Sequence, residues 1–250
     1  MADNANLTLD IASFTVGAML RAGVAIRNVA RDATSLETAA DLIVRYLYEN
    51  CVDQSTDERS NALVRFYKTH RFSELETDQK LFAQRMFGDQ PADGDMRCLA
   101  LVATAGDEPE WNSRHASRSH QAVPLPTADI VRQAPMIARL IEDLGLSIES
   151  VVSRAMPSAR SMEVRTYDVF HVENALGSPH IPAQADFVVR YGIESVVGFG
   201  GLLRSGEMYA VILFARVPVP TASAARFRTI ALDVRSALYA LDESKTWAER

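Results

Sequence analysis

The chain has 250 residues, 48% of them hydrophobic, enough for one large domain or two small ones with a real core. Its charged fraction of 23% leaves a net charge of −6, which argues against a nucleic-acid surface, because such surfaces carry a basic stripe and none is visible. Its two cysteines, Cys51 and Cys98, are too few for a disulfide-stapled secreted domain, and the missing C-x-x-C pairing excludes a zinc ribbon or a thioredoxin-type site.

Residues 1–10 hold Asp3 and Asp10 and no base, the wrong charge for a signal peptide. The longest apolar stretches, 195–203 and 208–215, are far too short to span a bilayer, so the chain is read as cytoplasmic, with no membrane partner. Over 9–31, Ile11, Phe14, Ala18, Ala22, Ala25 and Val29 recur at threes and fours, predicting an N-terminal helix. Thr34-Ser35-Leu36-Glu37 fits a capping box opening a second helix, with Leu36, Ala40, Ile43 and Leu47 facing inward and an end near Asn50. Residues 62–68 read as a strand and 74–86 as a helix. Residues 97–104 read as a strand buried on both faces, and 110–126 as a long polar loop. A helix over 127–144 follows, with Gly145 placed to end it, then short strands over 147–154 and 167–172. Two β-rich runs, 195–203 and 208–216, flank Arg204-Ser205-Gly206-Glu207 and predict an antiparallel hairpin. Thr221 caps a final helix with the stripe Phe227, Ile230, Ala231, Val234, Leu238 and Leu241.

The run Tyr-Gly-Ile-Glu-Ser-Val-Val-Gly-Phe at 191–199, the turn Ser205-Gly206-Glu207, the strand Met-Tyr-Ala-Val-Ile-Leu-Phe at 208–214 and the capped helix resemble a GAF domain, the sensory module common in bacterial signalling proteins. Phrases such as Leu63-Val64-Arg65-Phe66-Tyr67-Lys68-Thr69-His70 add a similarity to the N-terminal regions of some sensor histidine kinases. The resemblance implies an α/β (α+β) fold, with a central antiparallel sheet between N- and C-terminal helices. It divides the chain into an N-terminal dimerising helix over 1–33, a sensor domain over 34–242 with an enlarged middle, and a tail over 243–250. No Gly-x-Ser-x-Gly occurs and Cys98 sits in a strand read as buried, so no enzymatic activity is expected. The Asn-Lys-Phe-Asp-Glu string of cyclic-nucleotide binders and a bilin-attachment cysteine are both missing, so the cofactor stays unknown. The chain stops shortly after the last stripe position, which leaves no kinase or cyclase output domain in this polypeptide.

The resemblance also places a ligand cover over 167–191, just before the hairpin. Phe170, His171, His180, Phe187, Arg190, Tyr191 and the strand residue Phe199 are the candidate ligand-binding residues, an apolar set with a few polar groups. His171 and His180 either meet across their loop to hold a metal or a haem iron, or are hydrogen-bonded loop residues. The glycines at 198, 200 and 201 precede a turn and a strand rather than a helix, so they read as packing or ligand-contact positions and not as a phosphate cradle. The near-heptad stripes of the terminal helices predict a homodimer. The expected role is a signal-sensing domain that binds a small molecule and relays to a signalling partner such as a histidine kinase. A protein-interaction scaffold, a haem-binding sensor and a cysteine-based enzyme are the alternatives.

Overall fold

A computed structural model of the chain describes residues 8–153, 169–242 and 246–248. A small ribbon of β1 (Val52–Asp53) and β2 (Glu58–Arg59) leads into the central sheet. The sheet strands are β3 (Asn61–Arg71), β4 (Arg97–Gly106), β5 (Ala122–Leu125), β6 (Phe170–Val172), β7 (Ser195–Leu202) and β8 (Met208–Ala215). They form a six-stranded sheet in the order β5-β4-β3-β8-β7-β6, antiparallel at every pair. The predicted hairpin is there, with Ser195 opposite Ala215 and Leu202 opposite Met208. The central strands are nearly continuous apolar runs because helices cover both faces of the sheet.

One face carries α1 (Val16–Val29), α2 (Leu36–Asn50) and the C-terminal helix; α3 (Thr77–Phe87) lies by β5. The first helix starts later than its sequence stripe suggests. Asp10 Oδ1 accepts from the backbone N–H of Ala12 and Ser13, a local turn that competes with the helix, and Thr15 caps its true start by accepting from Ala18. The cap of α2 is Ser35, not Thr34: its hydroxyl accepts from the Thr38 N–H at 3.1 Å, and Glu37 is drawn off to Arg114.

The middle of the chain departs most from expectation. The predicted helix over 127–144 is two, α4 (Ala128–Arg132) and α5 (Pro135–Asp143), because Pro135 lacks an N–H and takes the first turn of a new helix. The predicted strand over 147–154 is instead α6 (Ile148–Val152), where the Ser147 hydroxyl caps Ser150; Arg154 lies outside the described residues. Within the predicted loop lies β5, an edge strand, the place where Pro124 can sit in a sheet. At the other edge the predicted strand is seen over Phe170–Val172, while Tyr167 and Asp168 lie outside the described residues. The final helix is interrupted, giving α7 (Thr221–Ala224) and α8 (Phe227–Leu238), with Phe227, Ile230, Ala231, Val234 and Leu238 all buried. Among the described residues no helix is long and apolar enough to cross a membrane.

Candidate functional site

The two faces of the sheet are packed differently. On the face under α1, α2 and α8, Phe227 meets Phe14 at 5.0 Å and Phe199 at 5.3 Å between ring centroids, and Phe66 stacks on Tyr209 at 5.8 Å. Phe199 therefore belongs to the core opposite to that of Phe170 and Phe187. The sequence-derived candidate residues do not line one chamber.

The rest divide further. Phe170 is buried on the second face, beneath Arg139, whose guanidinium lies 5.7 Å from its ring centre. Gly198 is opposite it in the ladder, and a Cβ there would come within 2.9 Å of Leu140 Cδ1 and 3.1 Å of Phe170 Cβ. That glycine serves packing, letting α5 lie against the sheet. Phe187 joins Trp111, Tyr191 and Phe214 in an aromatic cluster with centroid distances of 4.6 to 5.9 Å. Tyr191 donates its hydroxyl hydrogen to Glu108 at 2.8 Å, and Arg190 is exposed, spread over the Tyr191 ring. His171 donates from Nε2 to the Val219 carbonyl at 2.8 Å, so that nitrogen is committed. His180 is half-buried, with Nδ1 buried and unpartnered. Gln184 staples this loop, donating to the carbonyls of Ala175 at 3.1 Å and Ile181 at 2.6 Å. Among the described residues no group of three His, Cys, Asp or Glu side chains is placed to hold a metal.

Beside the aromatic cluster, still on the second face, lies a cavity of about 90 Å³ that the sequence reading missed. Its floor is Arg65 and Tyr67 of β3 with Ile212 and Phe214 of β8, and its roof is Met136, Ile137 and Leu140 of α5. Leu99, Val123 and His120 complete it. Arg65 is only 5% exposed. Its Nη1 donates to Tyr67 Oη at 3.2 Å and to the Ser119 carbonyl at 3.4 Å, and Nη2 donates to Ser117 Oγ at 3.2 Å. Its Nε is buried and has no acceptor. No carboxylate among the described residues pairs with it. A buried guanidinium held only by long, neutral hydrogen bonds is costly, since charges taken from water need a counter-charge and full hydrogen bonding. His120 is itself exposed and so stands at the mouth. Desolvation at the wall, then the Arg65 charge, lower its pKa, which leaves it neutral at pH 7. The period-two pattern held a signal: Leu63, Arg65 and Tyr67 share one face of a buried strand, and Arg65 is the charge among them.

The contrast with other charged places is instructive. A wider, open groove of about 600 Å³ borders β6, but there Arg139 is paired with Asp143 at 3.2 Å. Arg114 is also buried, yet it is gripped by Glu37 and by Glu76, the latter at 2.7 Å, and stacks on Trp247 at 4.5 Å. Cys51 and Cys98 are both buried, and desolvation pushes each thiol up to about 12, far from a reactive thiolate.

Comparison with solved structures finds likeness along nearly the whole chain. Free methionine-R-sulfoxide reductase from Neisseria meningitidis, solved with its substrate, is 12% identical with a TM-score of 0.50, over 95% of this chain and 98% of that one. The GAF domain of an Acinetobacter phosphoenolpyruvate-protein phosphotransferase is 13% identical, with a TM-score of 0.43 over 89% and 93%. A phycoerythrobilin-bound GAF domain from a cyanobacterial phytochrome is 11% identical, with a TM-score of 0.43 over 88% and 94%. No family model and no curated protein matches. At such identities the likeness is one of fold. The antiparallel sheet between N- and C-terminal helices shares its fold with that reductase.

Proposed function

We propose that this chain is a cytoplasmic, non-enzymatic sensory domain that binds a small molecule on the second face of its sheet and relays that event to a signalling partner. One observation carries the reading: Arg65 is buried in a mostly apolar cavity, and no carboxylate among the described residues pairs with it. A fold keeps so costly a group where a ligand completes it.

A route for the relay runs through the segment that holds Arg65. Ser117 and Ser119 accept from its guanidinium, and Arg114, three positions before Ser117, is locked to Glu37, Glu76 and Trp247. Glu37 also accepts from the Ala248 backbone N–H at 2.9 Å. A ligand that draws Arg65 toward itself loosens its hold on 117–119, and the same segment grips the C-terminal end of the chain. The size of any such shift is set by the ligand's preference between the two states. The exposed residues Val16, Leu20 and Val24 on α1 and Leu232 and Tyr239 at the C-terminal helix are the surface by which we place the homodimer.

The scaffold reading has one observation in its favour: Trp111, Phe187, Tyr191 and Phe214 pack the space under the predicted cover. A cysteine-based redox role gains nothing from Cys51 and Cys98, and a thiol reagent applied to the native protein is expected to label neither until it unfolds. A fragment screen by ¹H–¹⁵N NMR separates sensor from scaffold. A sensor shows compounds that shift the amides of Arg65, Tyr67 and His120 and, with them, those of Arg114 and Trp247. A screen that moves none of these amides overturns the sensing role.

A further inference from the structure

Resting on that sensory reading, we infer that the ligand of the Arg65 cavity is a small organic monocarboxylate, held by the guanidinium fork and by the Tyr67 hydroxyl, with a short apolar tail under α5.

The charge comes first. Arg65 lines a cavity whose other charge-capable member, His120, is neutral at pH 7. The site therefore supplies one positive charge. One negative charge balances it, whereas a doubly charged phosphate or sulfate leaves a charge uncompensated in an apolar chamber. Planarity comes second. A guanidinium offers parallel N–H groups that match the two oxygens of a carboxylate. The Arg65 Nε–H is buried without an acceptor among the described residues and meets a carboxylate once the guanidinium turns into the cavity, and the Nη groups hold their present acceptors at 3.2 to 3.4 Å, long enough to be exchanged for shorter, charge-assisted bonds. Tyr67 Oη accepts from Nη1, which leaves its own hydrogen to donate to the second carboxylate oxygen.

Size comes third. A space of about 90 Å³ matches roughly three waters at ~30 Å³ each, close to the bulk of an acid of about two carbons, with longer tails needing the roof to give. Leu99, Val123, Ile137, Leu140 and Ile212 make most of the remaining wall. Away from His120 at the mouth, a second polar group on the ligand would find no partner, so the tail under α5 is a hydrocarbon one.

The test is calorimetric titration of the full chain with acetate, propionate and butyrate, beside propionamide, butyramide, sulfate and phosphate. The carboxylates are expected to bind roughly 10- to 100-fold more tightly than their amides, the difference a charged hydrogen-bond acceptor makes. Arg65→Met is expected to abolish carboxylate binding and to raise the apo Tm by about 2–4 °C, since it removes an unpaired buried charge. Arg65→Lys keeps the charge without the fork and is expected to bind weakly. If amides bind as well as carboxylates, the anion is wrong while the sensing cavity stands. If sulfate or phosphate binds more tightly than any carboxylate, the carboxylate assignment is overturned. If Arg65→Met folds less stably and binds carboxylates unchanged, Arg65 is structural and the inference falls. If none of the probes binds and Arg65→Met leaves Tm unmoved or lowers it, this inference fails, and the NMR fragment screen then decides the sensing reading separately.

Discussion

The two faces of the central sheet are built from the same strands and yet solve different problems. Under α1, α2 and α8 the side chains are large and apolar, and the aromatic rings of Phe14, Phe66, Phe199, Tyr209 and Phe227 meet one another. On the other face, α5 roofs a cavity lined by an arginine that no carboxylate among the described residues pairs with. The first face spends its burial on stability. The second gives some of it up at Arg65, which is the pattern expected where a protein keeps a place for something else.

Substitutions can break or sharpen this contrast. The largest effect is expected from Phe199→Ala, which opens a hole in the closed face and costs about 3–5 kcal/mol by urea unfolding, with carboxylate binding unchanged. A loss under about 1 kcal/mol would show that the closed face does not dominate stability. Leu140→Ala, in the cavity roof, is expected to cost about 2–3 kcal/mol, the low end for a buried leucine, because it borders space already present. It also lengthens the chamber, so titrations should shift in favour of longer carboxylates; an unchanged preference would separate Leu140 from the tail site. Ser35→Ala removes the cap of α2 and is expected to cost about 1 kcal/mol, measured the same way.

The smallest effect is a pH dependence on the closed side. Burial lowers the pKa of His70 from its ordinary 6.5, and the neighbouring His70 draws that of Glu74 down to about 2 from 4.5. In both cases the unfolded chain binds the proton more readily, so stability falls on acidification. The His70 contribution is lost below about pH 6.5, and that of Glu74 between about pH 4.5 and about 2. Glu74 is half exposed, and solvent screening keeps its share small. His70→Gln is expected to flatten the first step of a Tm-against-pH curve; a curve unchanged between pH 7 and 5.5 would mean that His70 is not buried neutral.

Particular residues show what could be read in advance. The hairpin was legible because its two strands are adjacent in sequence and joined by Ser205-Gly206, a local signal. The inward stripes of α2 and α8 were legible for the same reason. The failures lie where local signals compete. Pro135 cut one predicted helix in two, and the Ser147 hydroxyl turned a β-rich run into α6. The candidate residues of 170–191 divide among separate surroundings, Phe170 under Arg139, Phe187 and Tyr191 in the aromatic cluster and His171 on the Val219 carbonyl, while Phe199 went to the other face. The cavity itself was not legible. Its walls come from β3, β4, β5, β8, α5 and the segment before β5, far apart in the chain.

Periodicity and turn chemistry therefore determined the closing antiparallel hairpin and the inward stripes of α2 and α8, because those properties arise between residues a few positions apart, while the sheet as a whole was read from the family resemblance. Only the tertiary structure decided that the inward-facing Arg65 would have no carboxylate beside it among the described residues. Arg65 reads from the sequence like any charged residue in a strand. Its meaning follows from the absence of a carboxylate around it among the described residues, and that depends on every element the fold brings near.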